Sequence, residues 1–519
     1  EKVYTGDHIE ARQRLDAILS ALHRYEPDLE GVKGIGFCVS IAHAEFMAEM
    51  FNQHGLASAA YVSGNDAGHY EPLLKQLKNG ELTFLFTVDK LSEGVDLPDI
   101  NVVLFLRPTR SLTVFLQQLG RGLRHSPGKD CLTVLDFVGQ AHRKYRIDTK
   151  IKALLPKHSY SIDREVEQDF PHLPPGCAIQ LDRLSRRHVL ENIRENLKKL
   201  AVQVPERLRS FSHETGQPLT FGNFIQHHDY EPERLLVRET WSTWKAKASL
   251  TEFPSDPDIK RLKNALIRLA FTNGPAEIAR LQKIVKLLKT RQVDQAISIA
   301  GNTAIMIHYR IWAEKGNILG MHSLQESFDR LSQNPTILAD MEEILAWAES
   351  ETPVAGRKPE LPFACPLELH AQYGFKDILA ALGQATFETA GQRGVGIIHL
   401  PDVKAYGIII TFQKTEKEFS PSTMYADFPI SRDLLHWESQ STTRQNTNTG
   451  QNLIQHRLRG YTILIFARSH KKQNNCTVPF TYLGPAVCQS YQGERPVQMI
   501  WKLGHPMPVE MFEGNRKGG

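Results

Sequence analysis

The sequence predicts an α/β domain built on a parallel sheet, followed by an α-helical domain and a β-rich (α+β) C-terminal domain. Three observations predict it. Up to about residue 150, short continuous apolar runs alternate with amphipathic stretches, the pattern of parallel strands covered on both faces. From about Asp182 to Glu349 the apolar residues recur with the helical period almost throughout. After the Pro- and Gly-containing linker Glu351–Phe363, short strand-like runs separated by turns take over. The expected boundaries are residues 1–155, 156–352 and 353–519.

Taken in order, DHIEARQRLDAILSALHRYE carries an apolar stripe of Ile9, Leu15, Ile18, Leu19 and Leu22 and predicts a helix. GIGFCVSI predicts a buried strand, AHAEFMAEMFNQHG a helix stopped at Gly55, ASAAYVSG a strand, and YEPLLKQLKNG a helix ending at Gly80. LTFLFTV, INVVLFLRP and CLTVLDFV are further strands. The helical region includes DIKRLKNALIRLAF and PAEIARLQKIVKLLKTRQ, punctuated at Asn273-Gly274-Pro275 and Asn334-Pro335. GVGIIHL, YGIIITFQ, YTILIFAR, FTYLG and VQMIWKL predict the last strands, and QNTNTGQ, Gln445–Gln451, a polar loop.

At 519 residues the chain exceeds what one core supports. With 41% hydrophobic and 23% charged residues its composition is that of a soluble globular protein. No apolar run approaches the ~20 residues of a membrane span, and no signal-peptide core opens the chain, so a cytoplasmic location and no membrane partner are expected. Six scattered cysteines without a CxxC pair imply reduced thiols rather than a disulfide or zinc framework. The net charge is only +4. Between Lys260 and Arg291, however, Arg261, Lys263, Arg268, Arg280, Lys283, Lys286 and Lys289 are opposed mainly by Glu277, which invites a polyphosphate partner; a solvated helix face is the alternative.

The carboxyl ends of parallel strands are where such sheets place their sites. FLQQLGRGLRHSPGK, Phe115–Lys129, predicts a short helix with Arg121 and Arg124 on one face. A preceding loop, TVDKLSEGVDLPDI, carries Gly94 and Asp96. Paired guanidiniums match phosphate geometry, so these elements together suit a nucleoside triphosphate; surface arginines paired with Asp130 or Asp136 are the blander alternative. His227-His228 is expected to be a loop feature rather than a metal site. In HWESQ, Trp437 is expected in the core, with a base-stacking pocket as the alternative.

Gln117-x-x-Gly120-Arg121-x-x-Arg124 resembles motif VI of superfamily 2 (DEAD/DEAH-type) helicases, SEGVDLP, Ser92–Pro98, resembles their motif V, and FCVSIAHAEFMAEMF resembles motif IV. The later segments LPPGCAIQLDRLSRRHVLENI, LLHWESQSTT and FTYLG resemble bacterial helicase-like proteins ending in a domain of unknown function of the DUF3427 type. The resemblance implies a RecA-like lobe over residues 1–155. It implies that Arg121 and Arg124 reach the γ-phosphate of ATP as arginine fingers, that Gln117 orients their helix, that Gly94 admits the nucleotide to the backbone, and that Asp96 meets the ribose. Ser40, Ser63, Gly64 and Thr87 then touch a nucleic-acid backbone. Motif V departs from many relatives in having Val88 where they have threonine.

No GxxxxGK[ST] loop and no DExH or DExD box occurs in the 519 residues. The Gly34-Ile35-Gly36 run precedes a strand and is not a nucleotide loop. The resemblance therefore implies that a first RecA-like lobe, in the same full-length chain or in a partner subunit, holds ATP and Mg²⁺, and that ATPase activity waits on it. Because the chain starts at Glu1 without methionine, a piece of a longer polypeptide is expected. The expected function is the second lobe and accessory domains of an ATP-dependent DNA, rather than RNA, helicase or translocase. The alternative is a noncatalytic nucleic-acid-binding or assembly module.

Overall fold

The computed structural model describes residues 9–62, 70–88, 100–107, 131–137, 151, 154, 162–167, 169–170, 173, 177–181, 185–187, 189–191, 200–228, 230–352, 356–391, 396–414, 426–440, 443–474 and 476–515. The chain divides into two units, residues 1–154 with 181–193 and residues 155–180 with 194–519.

In the first unit, β1 (Gly34–Phe37), β2 (Ser58–Tyr61), β3 (Phe84–Thr87), β4 (Val102–Phe105) and β5 (Thr133–Asp136) pair in parallel in the order β2-β3-β1-β4-β5. The three central strands β1, β3 and β4 are buried at every position, because helices cover both faces. One face packs Phe84, Phe86, Val102 and Leu104 against Leu15, Ile18 and Leu22 of α1 (Ile9–Tyr25) and Met47 and Phe51 of α2 (Ile41–Gln53). The other packs Ile35, Phe37, Leu85, Val103 and Phe105 against Leu77 of α3 (Tyr70–Asn79). Gly34 and Gly36 lie inside β1 rather than before it, which corrects the expectation for this run. A Cβ built on either would fall into the ring of Phe84 or Phe86, its neighbour on β3. Glycine here makes room for two phenylalanines.

The second unit joins a helical layer to a mixed sheet. Helices α5 (Phe221–His228), α6 (Trp241–Lys247), α7 (Ile259–Ala270) and α8 (Pro275–Lys289) pack on α10 (Pro335–Ser350), whose Ile337, Met341, Ile344 and Leu345 are fully buried, while α4 (Leu200–Thr215) packs on α6 and α9 (Ala304–Trp312) on α7. Two acids of α10 hold the amino ends of neighbouring helices, whose first N–H groups have no intrahelical acceptor. Asp340 accepts from Ser242 N–H at 3.0 Å, and Glu343 accepts from Phe221 N–H and Trp241 Nε1 at 2.7 Å each. Burial pushes the Asp340 carboxyl up to about 7, against the Ser242 hydrogen bonds that lower it.

The sheet is ordered β7 (Ile397–Leu400), β8 (Ala405–Thr411), β11 (Thr462–Arg468), β14 (Phe480–Gln492), β15 (Gln498–Leu503), β10 (Leu434–Glu438), β9 (Phe428–Ser431), with β6 (Gln372–Tyr373) on β14. A two-residue pair, β12 (Lys472–Gln473) with β13 (Cys476–Thr477), stands apart from it. Within the sheet β8 and β11 run parallel and the other pairs antiparallel. Between the layers lies α11 (Phe375–Ala381), which packs on α9. Of the expected loop Gln445–Gln451, Gln445–Thr447 is a turn, whereas Asn448 begins α12 (Asn448–Ile454), since the Thr447 hydroxyl accepts from Gly450 N–H at 3.1 Å and caps it. A short turn of helix, α13 (His456–Arg459), follows. His227 and His228 likewise end α5 rather than lying in a loop. Trp437 is a core residue, 3% exposed.

A buried cluster of charges ties helices to sheet. Arg310 on α9 is 2% exposed and pairs with Glu277 of α8 and Asp377 of α11, each at 2.9 Å. It donates to the Thr272 hydroxyl at 3.0 Å and lies over the Tyr373 ring at 5.6 Å. Burial lifts the Glu277 carboxyl to about 7 against the attraction of Arg310. The stretch Lys260–Arg291 is therefore not one basic face. Arg268 turns inward and donates to the carbonyls of Arg310 and Ile311, the latter at 2.7 Å, while Lys263 donates to the Val237 carbonyl at 2.8 Å. Lys260, Arg261, Lys283, Lys286, Lys289 and Arg291 stay exposed, with Lys289 paired to Glu342.

Replacing Arg310 by methionine leaves two buried carboxylates facing each other without a cation, which costs about 3–5 kcal/mol. Urea unfolding of the Arg310→Met variant measures it, and adding Asp377→Asn to that variant should recover part of the loss.

Candidate functional site

Parallel pairing sets the carboxyl ends of the five strands of the first unit in one row. Tyr61 lies opposite Thr87, Thr87 opposite Phe37, Phe37 opposite Phe105, and Phe105 opposite Asp136. Every segment singled out in the sequence follows one of these ends. Ser40 follows β1; Ser63 and Gly64 follow β2; Gly94 and Asp96 follow β3; Gln117, Arg121 and Arg124 follow β4. Of these, Ser63, Gly64, Gly94, Asp96, Gln117, Arg121 and Arg124 lie outside the described residues.

Ser40 is the N-cap of α2, with extended backbone, and its hydroxyl accepts from His43 N–H at 3.2 Å. In return the His43 Nδ1 accepts from Val39 N–H at 3.2 Å, a reciprocal cap with histidine in place of the usual glutamate. The helix therefore presents its positive end at the same edge as the strand ends. Val39 and Ile41, flanking the cap, are exposed at 41% and 42%.

Thr87 is not presented to a ligand. It is fully buried, its carbonyl accepts from Cys38 N–H at 2.7 Å, and its hydroxyl has no hydrogen-bond partner among the described residues. A nucleic-acid contact through that hydroxyl is closed in this conformation, because the last residue of a central strand is covered on both faces.

Two arginines that the motif pattern did not single out belong to this edge. Arg14 of α1 reaches across to donate to the Leu106 carbonyl at 3.3 Å, and Arg107 ends the run after β4. Their charge is felt by neighbouring groups. Burial pulls the His43 imidazole down to about 4, with Arg14 adding to the effect. Burial also pushes the Cys38 thiol far up, opposed by Arg107. The signal for Arg107 was in the sequence, as the first charged residue after an apolar strand; Arg14 requires the fold. Among the described residues no cluster of His, Cys, Asp or Glu is placed to hold a metal ion, and no helix is long and apolar enough to cross a membrane. The strand-end edge thus brings together the amino end of α2, Arg14 and Arg107, with Asp136 closing the row at β5.

Residues 13–126 match the helicase conserved C-terminal domain family, and residues 367–514 match the domain of unknown function DUF3427. "Putative ATP-dependent helicase IRC3" of Saccharomyces cerevisiae is 32% identical over 103 residues, 20% of this chain and 15% of that protein. "UvrABC system protein B" of Helicobacter hepaticus is 23% identical over 186 residues, 33% of this chain and 28% of that protein. The matched stretches thus span well under half of either relative. Among solved structures, the Escherichia coli DEAD-box protein SrmB, bound to the regulator of ribonuclease activity A, is 21% identical; the match covers 24% of this chain and 71% of that one, with a TM-score of 0.22. The helicase match lies within the first unit and the DUF3427 match within the second.

Because folding holds His43 neutral down to about pH 4 whereas an unfolded histidine titrates near ~6.5, its contribution is fully present above pH 6.5 and is lost as pH falls from 6.5 toward 4. The span corresponds to a loss on the order of 3 kcal/mol. Ring NMR titration of His43 should give a midpoint well below 6, and His43→Gln should flatten the acid side of the stability profile. A His43 midpoint at the ordinary value would contradict this.

Proposed function

We propose that this helicase C-terminal domain is the second motor lobe of an ATP-dependent superfamily 2 helicase or translocase that moves along DNA. The observation that carries the reading is the row of strand ends: each segment resembling a helicase motif leaves the sheet at this one edge. In this reading Arg121 and Arg124 face the terminal phosphate of ATP held by a first RecA-like lobe, and Gln117 fixes their helix. Gly94 lets backbone approach the nucleotide, and Asp96 accepts from the ribose hydroxyls. Ser40, Ser63 and Gly64 contact the phosphate backbone of the strand; the amide end of α2 beside Ser40 favours that anion. Thr87 is left out because it is buried.

Bound MgATP supplies the phosphoryl-transfer free energy, with Mg²⁺ held by the carboxylates of the other lobe. The residues of this chain supply positive charge where negative charge develops on the transferred group, which is how arginine fingers act. Alternate approach and separation of two lobes that both grip the backbone then yields movement along it. The salt-sensitive grip itself comes from cations displacing counterions.

Supplying a first lobe, in cis or in trans, should produce DNA-stimulated ATP hydrolysis. Arg124→Ala should lower turnover by about 10³-fold or more, with nucleotide binding retained. Turnover that survives the substitution undiminished refutes the assignment. A DNA affinity that never responds to nucleotide once the lobe is present favours the noncatalytic binding module instead.

A further inference from the structure

One corner of the C-terminal sheet combines stacked rings with fixed cations. Antiparallel pairing of β7 with β8 puts His399 opposite Tyr406, and their rings stack at 4.6 Å and 16°. Tyr461, one residue before β11, brings a third ring to 5.3 Å from Tyr406 and 6.4 Å from His399. Tyr406 is buried, Tyr461 half-buried and His399 exposed. The imidazole thus has one face on tyrosine and remains exposed.

The polar side of the corner is held just as firmly. Asn452 of α12, only 6% exposed, uses both ends of its carboxamide. Its Nδ2 donates to the Tyr406 hydroxyl at 3.0 Å, and its Oδ1 accepts from Arg459 Nη1 at 2.9 Å. Arg459 itself stays exposed, so a surface guanidinium is locked in register with the aromatic stack. Arg457, two residues earlier in the same helical turn, and Lys404 are also exposed; the Lys404 carbonyl accepts from Thr462 N–H at 2.9 Å, next to Tyr461. Leu458, between the two arginines, is 88% exposed. Ring stacking alone is accounted for as a cross-strand pair. Asn452 joins α12 to α13 through Arg459, whose Nη1 also meets Asn448 Oδ1 at 3.5 Å, and so fixes an exposed guanidinium one carboxamide away from the Tyr406 hydroxyl. It preorganises a donor for an outside acceptor.

We propose that this corner binds single-stranded nucleic acid, a base stacking on the open face of His399 beside Tyr461 while Arg457, Arg459 and Lys404 hold the flanking phosphates. A single strand is the fitting partner because its bases offer free faces, whereas those of a duplex are stacked on one another. The site lies within the DUF3427 region and does not involve the strand-end edge of the first unit.

The test uses the 519-residue protein with a fluorescein-labelled oligothymidylate of about 15 nucleotides, a hairpin duplex of similar length, and the same strand carrying 5-iodouracil for photocrosslinking. His399→Ala should weaken single-strand binding roughly tenfold, and His399→Phe, which keeps a stacking face, should retain it. Combined Arg457→Gln and Arg459→Gln should reduce the log–log salt slope by about 1.4, two phosphate contacts on a single strand. Crosslinks should map to peptides containing His399 or Tyr461. Unchanged affinity in His399→Ala, equal affinity for duplex, no single-strand binding, or crosslinks confined to residues 1–155 would overturn the proposal. The last result leaves the motor-lobe reading standing, and loss of Arg124-dependent ATP hydrolysis would fail that reading without touching this one.

Discussion

The buried guanidinium of Arg310 is the constraint around which the second unit is organised. A cation this far from water is tolerated only when its hydrogen-bonding groups are matched and its charge is opposed. Its partners come from separate places in the chain: Glu277 from one helix, Asp377 from another, Thr272 from the turn between two helices, and the Tyr373 ring from a strand of the sheet. None of these elements can shift without uncovering charge. Glu368 extends the cluster by accepting from Ala276 N–H at 3.0 Å and Glu277 N–H at 3.3 Å, so the start of α8 is capped from the sheet side. Gly274 and Gly356 lie against that carboxylate, where a side chain would collide with it. We regard the cluster as setting which helix meets which strand, a role of register more than of net stabilisation.

The first unit obeys a different constraint. Parallel strands buried on both faces have no polar face to spend on chemistry, so function is confined to their ends. The reciprocal Ser40–His43 cap shows the same economy on a local scale. It satisfies helix amides at the rim and keeps a positive helix end beside Arg14 and Arg107.

Much of this was legible in the sequence because burial imposes period. The five parallel strands and the helices α1, α2 and α3 stand where continuous apolar runs and 3.6-residue stripes place them, and the late strands from Ile397, Ala405, Thr462, Phe480 and Gln498 likewise. What escaped was set by side chains acting at a distance. α12 was hidden because its polar residues look like a loop until Thr447 caps it. The strand Leu434–Glu438 was hidden because His436 and Glu438 alternate with buried Leu435 and Trp437 over too few residues to be distinctive. In Lys260–Arg291 charge reads as exposure, and Arg268 and Glu277 break that rule because Arg310 gives them an interior to serve. In the site, the motif spacing identified segments, while the burial of Thr87 and the reach of Arg14 depend on contacts between residues far apart in sequence.

Gly34 and Gly36 leave the central strand without side chains on one face, and the rings of Phe84 and Phe86, with Phe51 edge-on at 5.2 and 4.8 Å, lie there instead. That face of β1 is thus built from borrowed side chains. Divergent descendants of this fold are consequently expected to change these positions as a block, since an alanine in the middle strand is admissible only where its neighbour has already given up an aromatic. The inheritance of this sheet is a matter of linked substitutions, in which no single position drifts alone.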